Sequence, residues 1–193
     1  MKKIVLIALL LLAASTAAQD AHFLSALPAS SAPEEKSGLG FRGYHLGMSP
    51  DEVKQHYFER ERQRPYSMVS ERYWECGEEG ARAARCFGLM EPLIACFLDG
   101  KLIYAHWEVG SLGYLDARQA LKDKFGKPTS EAVHEYQNRM GAKFSGIVSK
   151  WETGAMALEI DQYGSSLDKF SVEITEPARY KEYLAVRRRP SDI

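Results

Sequence analysis

The dipeptide Asp99-Gly100, set between the apolar runs LIACFL and KLIYAHWEV, constrains the fold more than any other feature of this 193-residue chain. Asp-Gly accepts the positive φ angles of a two-residue type I′ turn, so the flanking runs read as an antiparallel β-hairpin. Counting outward from the turn, Leu98 opposes Lys101, Cys96 opposes Ile103 and Ile94 opposes Ala105, with Trp107 continuing that side. Phe97 with Leu102, Ala95 with Tyr104, and Leu93 with His106 make up the other side. The Cys96 side is the more uniformly apolar and is expected to meet the core.

Helix signals stand on either side of this hairpin. In GMSPDEVKQHYF, Ser49 is an N-cap, Pro50 occupies the first helical position and Glu52 closes a capping box, while Met48 and Val53 form a hydrophobic staple. The helix buries Val53 and Tyr57, and the charged run Glu59–Arg64 is its solvated end, leading into a turn at Pro65. A second helix runs from about Leu112 to Phe125, with Lys122 and Lys124 at its negative end, Gly126 as cap and Pro128 as stop. Past a polar connection, Phe144–Trp151 and Ala155–Tyr163 form a second hairpin around Thr153-Gly154, with Ile147, Trp151, Met156, Leu158 and Ile160 on one face. Phe170, Val172 and Ile174 alternate as a further strand. PARYKEYLAV is a short helix with Tyr180 and Leu184 one turn apart, ahead of a basic end at 187–193.

Antiparallel hairpins separated by single helices give an α+β protein, with short helices packed on one face of a curved antiparallel sheet. The order of elements divides the 39–186 domain into helix-plus-hairpin units at about 41–109 and 112–175, a candidate for diverged duplication.

Lys2 and Lys3 precede the apolar run Ile4–Ala14 and the small residues 15–18, the pattern of a secretory signal peptide cleaved before Gln19. Cleavage removes two lysines and no acids, and no later segment is apolar enough to span a membrane. Residues 19–38 are rich in Ala, Ser and Pro and read as a flexible tail. The expected destination is the periplasm or the exterior, where disulfides form. Of Cys76, Cys86 and Cys96, the last sits among apolar side chains, so Cys76–Cys86 is the expected bridge and Cys86–Cys96 the alternative.

The motifs LGMSPDEV, FLDGKLIYAHW, and LKDKFGKPT followed by W-x4-MALEI resemble those of small exported bacterial proteins of uncharacterised function. More loosely, they resemble SmpA/OmlA-type assembly lipoproteins and the β-lactamase inhibitory proteins. The resemblance covers about residues 40–175 and implies short helices on antiparallel sheet. It specifies a fold rather than a chemistry.

With 45% apolar and 26% charged residues and a net charge of -1, the chain is globular and has no general attraction for nucleic acid. The sequence contains no nucleophile elbow, Walker or dinucleotide loop, and no cofactor or metal motif is read from it. Candidate chemistry reduces to single histidines, with Glu131 and Glu135 near His134. The expected function is that of an exported binding or interaction module. Its binding surface is the stripe Phe97, Leu102, Tyr104 and His106, pointing away from the helices toward an envelope protein or periplasmic component. That stripe is open unless the tail, the 60–90 segment or the second half of the sheet covers it. A hydrolase using His106 or His134 with a carboxylate is the alternative, and a disulfide-stabilised envelope component without a small ligand is a third reading.

Overall fold

A computed structural model describes residues 38–64, 70–78, 82–89 and 92–187. The signal segment, the tail up to residue 37, residues 65–69 with the turn at Pro65, residues 79–81 between the paired cysteines, residues 90 and 91, and the basic end from Arg188 lie outside the described residues.

The folded chain opens with a small hairpin, β1 (Gly40–Phe41) and β2 (Tyr44–His45), turned by Arg42 and Gly43 at φ of 55° and 86°. Gly43 is needed for its positive φ and for space, since a Cβ there would lie 2.6 Å from the His56 ring. The helix α1 (Pro50–Arg62) starts as its residues dictate. The Glu52 N–H donates to Ser49 Oγ at 3.2 Å, and Glu52 Oε2 accepts from the Ser49 N–H at 2.7 Å. Val53 and Tyr57 are fully buried.

The remaining elements are strands β3 (Trp74–Glu78), β4 (Ala83–Gly88), β5 (Leu93–Leu98) and β6 (Lys101–Gly110), then helix α2 (Tyr114–Phe125). Strands β7 (Ser130–Gln137), β8 (Lys143–Thr153), β9 (Met156–Asp161) and β10 (Lys169–Thr175) follow, and helix α3 (Pro177–Arg187) completes the described chain. Strands β3 to β10 make one antiparallel sheet of eight, in the order β3-β4-β5-β6-β10-β9-β8-β7. Each of α1 and α2 thus precedes a four-stranded meander, and the last strands of the two meanders, β6 and β10, pair at the centre.

Two strand regions depart from the sequence reading. The polar connection at Ser130–Gln137 is the edge strand β7. It has no buried face, so it carries no alternation of apolar and polar residues to reveal it. Trp74–Glu78 and Ala83–Gly88, for which the sequence suggested only a disulfide-closed loop between Cys76 and Cys86, form the hairpin β3–β4, in which Cys76 and Cys86 lie directly opposite and are bonded. Cys96 stays outside the bridge and is 2% exposed.

The central hairpin turns at Asp99-Gly100 as expected, with φ of 52° and 70°. Leu98 opposes Lys101 and Phe97 opposes Leu102, but the register then shifts at a β-bulge. Cys96 faces Tyr104, Ala95 faces Ala105, Ile94 faces His106 and Leu93 faces Trp107. Ile103 is the extra residue, and it reverses the facing of everything beyond it. The inner face consequently carries Leu93, Ala95, Phe97, Leu102, Ala105 and Trp107, in one core with Val53 and Tyr57 of α1, Tyr114 and Leu121 of α2, and Phe170, Val172 and Ile174. Trp107 is fully buried, with the Phe41 and Tyr44 rings 5.4 and 5.3 Å from it. Each such large side chain contributes roughly 1.5–3 kcal/mol through burial.

The α+β class holds, with one correction to the helix placement. α1 and α2 cover the inner face, whereas α3 lies on the outer one, where Tyr183 packs in a second core with Ala83, Cys96, Leu98 and Ile103. Residues on β4, β5 and β6 that the bulge and strand alternation turn outward are apolar at this end, and α3 is the element that covers them.

Candidate functional site

Among the described residues, α3 covers one end of the outer face and the polar residues beyond it are half-buried. On β10, Phe170, Val172 and Ile174 are buried while Lys169, Ser171, Glu173 and Thr175 are half-buried, as expected of a sheet covered on one side. Strand pairing brings a row of outer-face side chains together: His106 lies opposite Glu173, Glu173 opposite Glu159, and Glu159 opposite Lys150. The row crosses four adjacent strands, β6, β10, β9 and β8.

Its aromatic end adjoins α3. The Tyr104 hydroxyl donates to Glu173 Oε2 at 2.9 Å, and the Tyr104 ring stacks on Tyr180 at 4.3 Å with the planes 10° apart. His106 lies parallel to Tyr104 at 6.5 Å, its Nδ1 3.9 Å from the same Glu173 oxygen, which is beyond hydrogen-bond length. Burial, then the neighbouring Glu173 carboxylate that accepts its proton, pushes the Tyr104 phenol well above its ordinary range. Tyr104 is therefore a neutral hydrogen-bond donor at any physiological pH.

The acidic end is charge-frustrated. Burial first, and Glu173 next, push the Glu159 carboxyl above the usual range, against a partial offset from Lys150. The nearby cations are committed elsewhere: Lys150 Nζ sits 2.6 Å from Glu152, and Lys169 Nζ 3.2 Å from Glu108. The hydrogen bond from Ser165 holds Glu108 below the usual range, ahead of the contribution from Lys169. Glu159 and Glu173 thus form an acidic centre whose charge Lys150 offsets only in part.

The four-residue stripe expected from the sequence is divided by the bulge. Tyr104 and His106 are on the outer face, half-buried. Phe97 and Leu102, at 2% and 0% exposure, belong to the inner core and present no surface. Glu173, Glu159 and Lys150, absent from that stripe, complete the site. Their signal was the polar half of each strand's alternation, but only the long-range pairing of β10 between β6 and β9 places them beside His106.

Strand alternation also separates the acid-base candidates around His134. His134 is on the outer side of β7, while Glu131 and Glu135 are on the inner side, where Glu131 accepts from Arg118 and lies 3.6 Å from Lys122. His56 Nε2 meets the Arg42 carbonyl at 2.9 Å and His45 Nδ1 the Leu46 carbonyl at 3.2 Å, both local structural contacts. No group of three or more His, Cys, Asp and Glu is arranged to hold a metal among the described residues. Nor is any helix among them long and apolar enough to cross a membrane.

Fold and surface together define an α+β protein whose eight-stranded sheet, among the described residues, is covered by α1 and α2 on one face and by α3 over one end of the other. No family model, curated protein or solved structure significantly matches the chain.

Proposed function

We propose that the chain is an exported interaction module that binds a protein partner through the outer face of its sheet. The partner is an envelope protein or a periplasmic component. The observation that carries this reading is the row from Tyr104 and His106 through Glu173 to Glu159, half-exposed and acidic at its centre. Aromatic side chains with polar tips provide contact area at low entropic cost, and Glu159 with Glu173 favours a partner that presents a lysine or arginine. The N-terminal pattern of Lys2, Lys3 and the apolar run supports export, and the Cys76–Cys86 disulfide is compatible with an oxidising compartment.

The test uses the full chain expressed in a Gram-negative cell, with a photo-crosslinking residue at Lys150 and, as control, at the exposed Leu115 on α2. The expected result is a mature N-terminus at Gln19 and a discrete protein captured from position 150 and not from 115. Capture should fall at least tenfold with Glu159→Lys and fall with added salt, because a charge contact at the surface is screened. Equal capture from both positions, or capture indifferent to Glu159→Lys, would overturn the assignment of this face.

A further inference from the structure

At one end of the sheet, the turn joining β7 to β8 and the connection from β9 to β10 enclose a cleft of about 470 Å³, distinct from the Tyr104–Glu159 row. Its volume lies within the range of small-molecule sites. Tyr136 and Tyr163 form an aromatic corner, their rings 5.3 Å apart and nearly perpendicular at 83°. Gly146 beneath them makes this possible, since a Cβ there would fall 2.7 Å from Tyr163 Cδ2 and 3.0 Å from Tyr136 Cε2. Asp161 Oδ1 anchors the corner by accepting from the Tyr136 hydroxyl at 2.6 Å and from the Tyr163 N–H at 3.0 Å.

The polar rim is held in place by bonds within its own loops, and those bonds decide what it offers. Asn138 Oδ1 accepts from the N–H groups of Met140 and Ala142 at 3.0 and 2.9 Å, leaving its amide N–H groups as the available donors. Gln137 Nε2 donates to the Gly141 carbonyl at 3.2 Å, leaving Oε1 as an acceptor. Asp168 takes the Ser166 hydroxyl on Oδ1 at 2.5 Å, which holds its carboxyl below the usual range and leaves Oδ2 to accept. The exposed Arg139 guanidinium adds planar donors. Around the aromatic corner the rim therefore offers both donors and acceptors, on loops already fixed in shape.

Simpler ligands match this poorly. A purely apolar ligand would strip water from Arg139, Asn138 and Asp168 without replacing its hydrogen bonds. A compact anion would face Asp168 and Asp161 as well as Arg139. A pyranose ring has a C–H-rich face that packs on an aromatic side chain, and its neighbouring hydroxyls each donate and accept. We infer that the cleft binds a saccharide unit of a glycan, stacked on Tyr163 and hydrogen-bonded to Arg139, Asn138, Gln137 and Asp168.

The experiment is saturation-transfer NMR on the full chain with chitotriose and with maltotriose, which distinguish an acetamido-sugar source from a neutral glucan. Ring-proton saturation of either one, with affinity at least tenfold weaker in both Tyr163→Ala and Arg139→Ala, is the expected result. Arg139 is exposed on a turn, so its variant keeps the test decisive if Tyr163→Ala fails to fold. No saturation of either trisaccharide, or binding unchanged in Arg139→Ala, would overturn the inference.

Discussion

Glu159 is opposed by both burial and the Glu173 charge, so ionising it costs the folded state more than the unfolded chain. Its raised pKa means that the fold binds this proton more tightly. Stability is therefore lost as pH rises from the ordinary glutamate range through the raised value, and regained as pH falls. Glu159→Gln should raise the thermal midpoint at pH 7, with the gain disappearing below about pH 4, the usual glutamate value. Melting curves of both proteins across pH 3–8 check this, and a gain that persists at acid pH would contradict the charge argument. Residue-level legibility differed by position. Val53 and Tyr57 were readable because helical periodicity alone puts them on one side of α1. Glu159 was not, because its character depends on a carboxylate fourteen residues away on β10.

At the scale of elements, caps and turns behaved as local chemistry requires. Ser49 and Glu52 satisfy each other's backbone N–H groups, so Ser49→Ala should cost about 1 kcal/mol, read as a shift in urea midpoint at unchanged slope. The central hairpin is more instructive. Its turn was legible in Asp99-Gly100, but the bulge at Ile103 was not, because nothing in LIACFL or KLIYAHWEV marks the extra residue. Both sides of this hairpin are apolar near the turn, with Phe97 and Leu102 in one core and Cys96, Leu98 and Ile103 in the other. A pattern without polar alternation cannot specify its register. Ile103 is fully buried under α3, and Ile103→Ala should destabilise by about 2–5 kcal/mol in denaturant unfolding. A change below about 0.5 kcal/mol would mean that this side of β6 is not a packed core, since that is the scale of surface substitutions. The edge strand β7 escaped sequence reading for the opposite reason: its exposure leaves it polar on both sides.

For the molecule as a whole, the disulfide ties β3 to β4 at one margin of the sheet, and the cysteines are separated by 10 positions. A loop of that length constrains the unfolded chain modestly, so reduction or paired Cys76→Ser and Cys86→Ser substitution should lower stability by about 2–3 kcal/mol. Urea unfolding with and without reductant measures this. Cys96, enclosed beneath α3, should resist alkylation until the protein unfolds. The same architecture explains the division of labour between faces. α1 and α2 cover the inner side, and α3 covers only the end of the outer side where Cys96, Leu98 and Ile103 lie. The remaining outer surface is left to Tyr104, His106, Glu173 and Glu159.

By itself the sequence determined the α+β class, the start of α1, the stop of α2, the Asp99-Gly100 turn and the Cys76–Cys86 pairing as the expected bridge, whereas the second hairpin turns one residue later than expected, at Gly154-Ala155 rather than Thr153-Gly154. Most of these depend on residues a few positions apart, whose capping, turn and periodicity chemistry acts before any long-range contact forms. Tertiary structure alone decided the bulge, the edge strand, the placement of α3 and the pairing of β6 with β10. Each of these selects between surfaces that are locally equivalent, and the choice rests on which distant element arrives to bury one of them. The composition of the outer-face row follows from that choice. Tyr104 and His106 lie half-buried on the outer face because one extra residue turns them away from the inner core, and Glu173 and Glu159 join them because the two meanders meet at their last strands.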